Sequence, residues 1–440
     1  MNKLPVPRAL RPSACPGLLR IVQARDGGIC RIKLAGGALS AVQANAIADG
    51  AQRYARSVIE ATNRANVQIR GIGKDEGALI EGLIAAGLGP SNAAGDDVRN
   101  LMLSPSAGID PQMLFDTRNL ARRILATLQE REPFHELSAK FAVQLDGGES
   151  LAMLEHPHDL WLSAVHRDGE LRLAFGLAGC PTDLPAGSVG LDDGHALVVA
   201  VLEVFLELAG PEQTRMRHLL AKVSAAVFLA RLAERVPFSP VADWQRSSKS
   251  NVLHIGAHPQ AQSGYVYVGA VAPLGRLDAA MLRGVARVAQ DYGDATLRFT
   301  PWQSLLLPNV RDEDAAEVMR RLRALGLLCE ADQAMSRLIA CTGSTGCGKG
   351  LADTKGDAVQ LAGLLQRHGQ VLNVHLSGCS RACAAAHTAP VTLLAVSPGH
   401  YDLYFHDAAQ PGFGALHARN LTIDAVGDLL VARSRSPLDA

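Results

Sequence analysis

Hydrophobic and polar residues follow the same order in two distant stretches of the chain, residues 36–69 and 275–307. Each stretch begins at a glycine, continues with apolar residues at every third or fourth position, and ends with alternating apolar and polar residues. The first pattern is typical of an amphipathic helix and the second of a half-buried strand. An interval of 23 residues separates the equivalent leucine and threonine in both copies, Leu39 to Thr62 and Leu277 to Thr300. The repeat predicts two half-domains around a pseudo-twofold axis, with a site between them.

Further elements are predicted around the repeat. Each copy is preceded by a strand candidate, Leu18–Gln23 in the first and Gly264–Val271 in the second. Between the copies, the pattern predicts strands and a helix around Thr117–Gln129, then long helices at Gly194–Leu208 and Glu212–Arg235. The chain is therefore expected to combine α and β elements in several domains.

The composition limits the class of protein. The chain has 440 residues, of which 48% are hydrophobic, so it can bury more than one core. Its 43 basic residues balance 43 acidic ones, so neither nucleic acid nor an anionic membrane is expected as a general partner. No apolar run reaches about 18 residues, and residues 1–14 are not followed by the apolar core of a signal peptide. We therefore expect a cytoplasmic protein.

Four of the eight cysteines form two close pairs within an α/β block from about Arg337 to Arg433. They follow the pattern C-x5-C, 31 residues, C-x3-C, at Cys341, Cys347, Cys379 and Cys383. Two close pairs of thiolates, brought together by the fold, suit a [4Fe–4S] cluster. The first pair lies in a glycine-rich loop, whereas the spacing of the second predicts one helical turn with both sulfurs on one face. Structural zinc, disulfides and unrelated core thiols remain as alternatives.

The remaining cysteines are isolated and are expected to be core or loop thiols: Cys15, Cys30, Cys180 and Cys329.

The glycine-rich loop also matches most of a phosphate-binding motif. Residues 343–349 fit G-x-x-x-x-G-K, but Gly350 follows where the motif has a Ser or Thr that holds magnesium. Because that ligand is missing, nucleotide hydrolysis is a weaker interpretation than a metal cluster at the same loop.

With these features the sequence resembles the sulfite and nitrite reductase superfamily. The cysteine pattern, the duplicated half-domain and the segment T-N-R-A-N-V-Q-I-R at residues 62–70 carry the resemblance. In that superfamily a [4Fe–4S] cluster is coupled to sirohaem through a shared cysteine, and basic side chains bind the anion. The resemblance implies that Cys383 is the bridging ligand and that Arg64, Arg99 and Lys140 bind the anion.

One departure from the superfamily lies next to Lys140. The reductases have Arg-Lys-Phe-Lys here, with two lysines on one strand face, whereas residues 139–142 of this chain are A-K-F-A. Six-electron reduction of nitrite or sulfite needs concentrated positive charge and proton donors around the anion. Ala142, in place of the second lysine, therefore favours a different reaction.

Three segments look like the branch of the superfamily that makes precorrin-3B in aerobic cobalamin biosynthesis: C-P-G-L at 15–18, R-D-G-G at 25–28 and S-P-S-A-G-I-D at 104–110. That resemblance implies a monooxygenase that uses O₂ to hydroxylate precorrin-3A at C20 and closes a γ-lactone. It also implies a [4Fe–4S] cluster, a mononuclear non-haem iron and NADH as the electron source. No G-x-G-x-x-G follows a strand, so we expect a separate electron-donating reductase as partner.

Precorrin-3A is a flexible macrocycle edged with carboxylates, so arginines are expected at the rim of its site. The residues expected to bind it lie on segments predicted to face the cleft between the halves: Arg64, Arg70, Arg99 and Lys140. The catalytic residues and the ligands of the mononuclear iron stay unassigned. The run H-P-H-D at 156–159 alternates along a strand, which points both histidines to one face and the carboxylate to the other.

Together these inferences predict an α+β fold: duplicated ferredoxin-like half-domains forming a pseudo-twofold core, plus α/β sulfite-reductase-type domains, the last carrying the cluster. The predicted boundaries are an N-terminal tail at 1–14, half-domains at 15–80 and 252–330, α/β domains at 81–245 and 331–433, and a tail at 434–440. The alternative functions are a sirohaem-dependent sulfite or nitrite reductase and a non-catalytic iron–sulfur redox sensor.

Overall fold

The computed structural model describes residues 15–167, 169–241, 244–247, 252–410 and 412–435. They form two compact units, one of residues up to 20 and from 88 to 247, the other of residues 21–87 and from 252 onward. The predicted tail at 1–14 and the last five residues of the predicted tail at 434–440 lie outside the described residues. Within the described chain, no helix has both the length and the apolar character needed to cross a membrane.

The first half-domain contains antiparallel strands and two helices. Its elements are β1 (Val22–Ala24), β2 (Gly27–Ile32), β3 (Ala38–Ser40), α1 (Ala41–Tyr54), β4 (Val58–Ala61), β5 (Val67–Ile72) and α2 (Glu76–Ala85). The strand predicted at Leu18–Gln23 is wrong in position, because the chain makes a β1–β2 hairpin that turns at Arg25 and Asp26. Gly27, at φ 118°, adopts a conformation that this turn needs and other residues rarely reach.

The first α/β sheet belongs to the other unit. Its elements are β6 (Leu101–Leu103), α3 (Arg118–Glu130), β7 (Val143–Asp146), β8 (His158–Arg167), β9 (Glu170–Gly179), β10 (Gly187–Gly190), α4 (Gly194–Leu208), α5 (Met216–Leu220) and α6 (Ala225–Ala233). The strand order is β10-β9-β8-β7-β6, parallel between β6, β7 and β8 and antiparallel beyond. The single helix predicted at Glu212–Arg235 is wrong. It divides into α5 and α6, and the Ser224 hydroxyl caps α6 by accepting the Val227 N–H at 3.4 Å.

The second half-domain repeats the first. Its elements are β11 (Gly256–Pro259), β12 (Tyr265–Val271), β13 (Arg276–Leu277), α7 (Ala279–Tyr292), β14 (Thr296–Phe299), β15 (Ser304–Arg311) and α8 (Ala315–Ala324). Helices α1 and α7 are 14 residues each and pack against each other. The residues that they bury occupy equivalent positions, Ala44, Ile47, Ala48 and Ala51 in α1 and Leu282, Val285, Ala286 and Ala289 in α7. The predicted duplication is confirmed.

The second α/β sheet carries the four paired cysteines. Its elements are β16 (Leu338–Ala340), α9 (Thr354–Arg367), β17 (Val374–Ser377), β18 (Val391–Ser397), β19 (His400–Phe405), β20 (Ala415–Thr422) and α10 (Ile423–Arg435). The order is β16-β17-β18-β19-β20, again two parallel pairings followed by two antiparallel ones. A helix follows the first strand and another follows the last strand in both α/β sheets, so the chain contains a second duplication that periodicity did not reveal.

The two half-domains exchange a short strand. β3 of the first pairs with β14 of the second, and β13 of the second pairs with β4 of the first, which completes two five-stranded sheets. Gly37, just before β3, has φ +71°, and a Cβ there would overlap the Phe299 carbonyl oxygen. The segments around Gly37 and Phe299 therefore approach so closely that only a glycine fits at position 37.

We predict that Gly37→Ala destabilises the protein by about 2 kcal/mol or more, because it combines a backbone overlap with a strained φ. Gly82→Ala is the matched control, since Gly82 lies within α2 and a Cβ there meets nothing within 4 Å. The control should be stabilised by about 0.5–1 kcal/mol through helix propensity. Chemical unfolding of both variants is the measurement, and equal midpoints would contradict the prediction.

Candidate metal centre

Cys341 and Cys379 lie at the carboxyl edge of the second α/β sheet. Cys341 directly follows β16, and its N–H donates to the Leu376 carbonyl of the neighbouring parallel strand β17 at 3.3 Å. Cys379 comes two residues after the end of β17. Because carboxyl ends of parallel strands meet at one edge, residues 38 positions apart in sequence belong to one site.

Polar groups surround the sulfur of Cys341. The Gly378 N–H donates to its Sγ at 3.2 Å, and the Thr354 hydroxyl lies 3.6 Å from the same sulfur. Thr354 is the first residue of α9, so the positive end of that helix dipole faces the cysteine. Hydrogen bonds of this kind to sulfur also tune a bound cluster.

The loop that carries Cys347 folds back tightly on itself. The Cys347 N–H donates to the Gly343 carbonyl at 2.9 Å, and the Leu351 N–H donates to the Gly378 carbonyl at 2.9 Å. A Cβ at Gly343, which has φ +68°, would lie 2.6 Å from the Ala352 carbonyl oxygen. In a phosphate-binding loop the helix begins at the lysine, whereas α9 begins only at Thr354, which speaks against nucleotide hydrolysis.

Cys379 and Cys383 lie on a turn, so the predicted helical turn is wrong. Ala382 has φ +48°, which interrupts a right-handed helix, and its N–H reaches the Cys379 carbonyl at 3.4 Å. Alanines follow Cys383 and would favour a helix locally, but tertiary contacts decide otherwise. Ala384 is buried, and its carbonyl accepts from the Gln303 side chain at 2.9 Å.

The four thiols influence one another electrostatically. Partial desolvation raises the pKa of Cys383, and the thiolates of Cys379, Cys341 and Cys347 raise it further, while Arg381 opposes them. Because each ionised thiol would oppose the ionisation of its neighbours, four thiolates in one place would need a cationic centre to hold them together. The group fits an iron–sulfur cluster.

The described side chains can be compared with the geometry that a single metal ion needs. Among the described His, Cys, Asp and Glu side chains, no group of three is arranged to hold one metal ion. Structural zinc needs all of its sulfurs at about 2.3 Å from one point, whereas each thiolate of a four-iron cluster binds a different iron. The arrangement therefore favours a cluster over zinc, and it assigns no ligands to a mononuclear iron.

Both half-domains hold the cysteine segments in place. In the first, the Arg25 side chain donates to the Ser344 carbonyl at 2.8 Å and the Asn63 amide to the Cys383 carbonyl at 3.4 Å. In the second, Gln303 donates to Ala384 as described above. Asn63 and Gln303 stand at the tips of the β4–β5 and β14–β15 hairpins, so both tips meet the turn that carries Cys383. Sequence reasoning missed these contacts, although the hairpin tips are part of the visible repeat.

The predicted substrate residues have different surroundings. Arg64 is half-buried at the β4–β5 tip, next to Asn63, and its N–H donates to the Thr62 hydroxyl at 3.3 Å. Arg70 is 6% exposed, and its guanidinium donates to both carboxylate oxygens of Asp26 and to the Gly346 carbonyl. These bonds give Arg70 a structural role at the cysteine loop, and its contact with substrate stays a prediction.

Arg99 and Lys140 belong to the other unit. The Arg99 guanidinium reaches Asp96 at 3.5 Å and the Gly89 carbonyl at 3.3 Å, and the side chain is 12% exposed. Lys140 is exposed. Their binding to substrate also stays a prediction.

The H-P-H-D run does not form a metal site. Asp159 is buried and binds Arg215 at 2.8 Å and the N–H groups of Ala142 and Met216 at 2.9 and 2.8 Å. The His158 Nδ1 lies 2.7 Å from the His156 carbonyl. Asp159 is therefore held by partners within the protein.

Two of the isolated cysteines are chemically inert. Burial, with nearby carboxylates, raises the pKa of Cys180 and of Cys329 to about 12. Neither can act as a thiolate at neutral pH.

We predict that replacing any of the four paired cysteines with serine removes or destabilises the cluster, with loss of bound iron, acid-labile sulfide and visible absorbance. Cys180→Ser and Cys329→Ser are matched controls and should retain all three signals. Iron and sulfide are measured on protein purified without oxygen. Full iron content in Cys347→Ser, or loss of iron in the controls, would contradict the assignment.

Comparison with known proteins identifies the fold's relatives. The family model described as "Nitrite/Sulfite reductase ferredoxin-like half domain" matches residues 22–86 and 258–325. A second family model, described as "Nitrite and sulphite reductase 4Fe-4S domain", matches residues 94–239. The latter range lacks the four paired cysteines. The second α/β sheet, which carries them, has the same strand order and connections as the matched region.

The chloroplastic ferredoxin–nitrite reductase of Zea mays is 31% identical over 392 residues, which cover 82% of this chain and 68% of that protein. A precorrin-3B synthase of Sinorhizobium is 27% identical over 403 residues, which cover 91% of this chain and 84% of that protein. The structure of the Mycobacterium tuberculosis NirA protein shares the fold, with a TM-score of 0.79 at 22% identity over 94% of this chain and 82% of that one. The chain therefore belongs to the nitrite and sulfite reductase superfamily of oxidoreductases.

Proposed function

We propose that this protein is a precorrin-3B synthase, which hydroxylates precorrin-3A at C20 with O₂ and closes a γ-lactone. The observation that carries the proposal is Ala142, where the reductases have their second lysine. Its side chain is only 1% exposed, and its N–H and carbonyl are both bound to Asp159. No ammonium group can be presented from this position, so the site lacks a cation and proton donor that six-electron reduction of a small anion uses.

The coverage of one relative supports the same choice. The Sinorhizobium precorrin-3B synthase matches over most of both chains, whereas this chain spans about two thirds of the length of the plant nitrite reductases. The match along most of both chains supports the synthase proposal.

In this proposal the four cysteines hold a [4Fe–4S] cluster that transfers electrons one at a time. The two electrons come from NADH through a separate reductase, one oxygen atom of O₂ enters the product, and the other leaves as water. A mononuclear non-haem iron for O₂ activation belongs to the proposal by resemblance, without assigned ligands.

Arg64 is the best-placed residue for the substrate. The β4–β5 tip that carries it touches the backbone of Cys383, whose thiol is exposed. A guanidinium at this tip can bind a carboxylate at the edge of the macrocycle with two parallel hydrogen bonds.

A sirohaem-dependent nitrite or sulfite reductase is the second candidate. The 31% identity with the Zea mays nitrite reductase favours it. In that case Cys383 would bridge the cluster to sirohaem iron, and the tetrapyrrole would be a resident cofactor.

We expect the purified protein, supplied with precorrin-3A, NADH, a competent reductase and ¹⁸O₂, to give a tetrapyrrole product that contains one labelled oxygen, as measured by mass spectrometry. Anaerobic incubation is the control and should leave the substrate unchanged. Absence of labelled product, in a sample with a full cluster, would contradict the proposal. Sirohaem absorbance in the red, together with nitrite reduction by a chemical donor, would establish the second candidate.

We also predict that Arg64→Ala raises the KM for precorrin-3A about tenfold, the equivalent of about 1.4 kcal/mol. The KM of Arg64→Lys should lie between those of the wild type and Arg64→Ala, because an ammonium keeps the charge but cannot form two parallel hydrogen bonds. Arg320→Ala is a matched control at an exposed ion pair with Glu317 on α8. An unchanged KM in Arg64→Ala would remove Arg64 from the site.

A further inference from the structure

Charged side chains from five segments meet beside the first cysteine loop. Glu60 is on β4, Arg70 on β5, Arg276 on the exchanged strand β13, and Lys355 in the first turn of α9, while Asp26 lies in the β1–β2 turn. The side chains of Glu60, Arg70 and Lys355 are 11%, 6% and 12% exposed. Ionised groups are rarely buried to this degree unless they have partners.

Glu60 is the centre of this network. Its carboxylate binds Arg276 at 2.6 Å and lies 3.7 Å from Arg70 and 3.8 Å from Lys355. The Thr342 hydroxyl, next to Cys341, donates to it at 3.2 Å. Although burial opposes ionisation, the charges of Lys355, Arg70 and Arg276 lower the pKa of Glu60 below its usual value. Glu60 is therefore a carboxylate at neutral pH.

Lys355 binds two backbone carbonyls besides facing Glu60. Its ammonium donates to Leu274 at 2.6 Å and to Ala340 at 3.1 Å. Leu274 lies in the turn before β13, with φ +53°, and Ala340 is the residue before Cys341. Lys355 thus connects the turn before the exchanged strand β13 with the end of β16, directly before Cys341.

The network has an excess of positive charge. Arg70, Arg276 and Lys355 are three cations, and Glu60 and Asp26 are two carboxylates. Burial lowers the pKa of Lys355, and the nearby Glu60 carboxylate opposes this shift. The remaining positive charge lies next to Cys341, because the Lys355 ammonium donates to the carbonyl of the preceding residue, Ala340. Buried charges act on their neighbours with little screening by solvent.

We propose that the Lys355–Glu60 pair sets the reduction potential of the cluster held by the four cysteines, in addition to holding Cys341 in position. This inference rests on the proposed cluster. An added electron makes the cluster more negative, so a nearby buried cation favours reduction and a nearby buried carboxylate opposes it. Lys355 and Glu60 are positioning residues, because they act on the cluster through charge and through the backbone of residues 340–342.

The sign of the shifts separates this role from a purely structural one. Lys355→Met removes a cation and should lower the reduction potential, whereas Glu60→Gln removes a carboxylate and should raise it. The reduction potential of the double variant should lie between those of the two single variants. Loss of structure alone would not move the two single variants in opposite directions.

The experiment is a redox titration of each purified holoprotein, followed by the spectrum of the reduced cluster. We expect each single variant to change the equilibrium constant for one-electron reduction about tenfold, which corresponds to about 59 mV. Lys349→Met is the matched control: Lys349 lies two residues after Cys347 but is exposed, so its effect should be smaller and should vanish at high salt. The shifts in the buried variants should persist at high salt.

The possible outcomes are distinct. If the wild-type protein binds no iron or sulfide, the proposed cluster fails. If the cluster is present and the single variants shift the potential in the same direction, or by no more than Lys349→Met does, this inference alone fails. Should Lys355→Met not fold, Glu60→Gln decides the question, since Gln keeps the side-chain shape and can still accept from Arg276. An unchanged or lowered potential in Glu60→Gln would overturn the inference.

Discussion

The exchange of β3 and β13 is the interaction on which the second unit depends. Each half-domain is completed by a strand from the other, so neither five-stranded sheet is complete without both half-domains. The exchange also positions charge, because the register of β13 on β4 places Arg276 directly opposite Glu60. The turn that leads into β13 supplies the Leu274 carbonyl for Lys355. The environment of the first cysteine is thus a consequence of how the two half-domains are joined.

The two α/β sheets show how one topology can carry different chemistry at the same edge. In the second sheet, Cys341 and Cys379 follow the first two parallel strands. In the first sheet, Ser104 follows β6, β7 ends at the buried Asp146, and the buried Glu149 comes three residues later. Burial and the neighbouring carboxylates of Asp146 and Asp110 raise the pKa of Glu149 well above its usual value. A cluster needs thiolates, so the same edge in the first sheet cannot hold one.

The functional proposal follows from charge in the same way. Nitrite and sulfite are small anions whose reduction consumes many protons, so a reductase surrounds them with cations. This chain keeps Lys140 and has buried Ala142 beside it, with the backbone of Ala142 held by Asp159. Meanwhile both hairpin tips meet the turn of Cys383, where a large substrate edged with carboxylates would lie close to Arg64. These two features, taken separately, are the reasons for proposing a tetrapyrrole as substrate.

Periodicity and residue identity were enough to predict the duplicated half-domains, the cysteine group and the α+β class, because each is recorded locally along the chain. The turn at Cys379 and Cys383 could not be predicted from the sequence, because the alanines that follow favour a helix while the hydrogen bond from Gln303 favours a turn. The strand exchange, the second duplication and the partners of Arg70 also appeared only in the structure. A hydrophobic pattern shows which face of an element is buried, and a charged residue shows that a partner is needed. Only the tertiary structure decides which distant segment supplies that partner, and here it brought Glu60, Arg276 and Lys355 together beside Cys341.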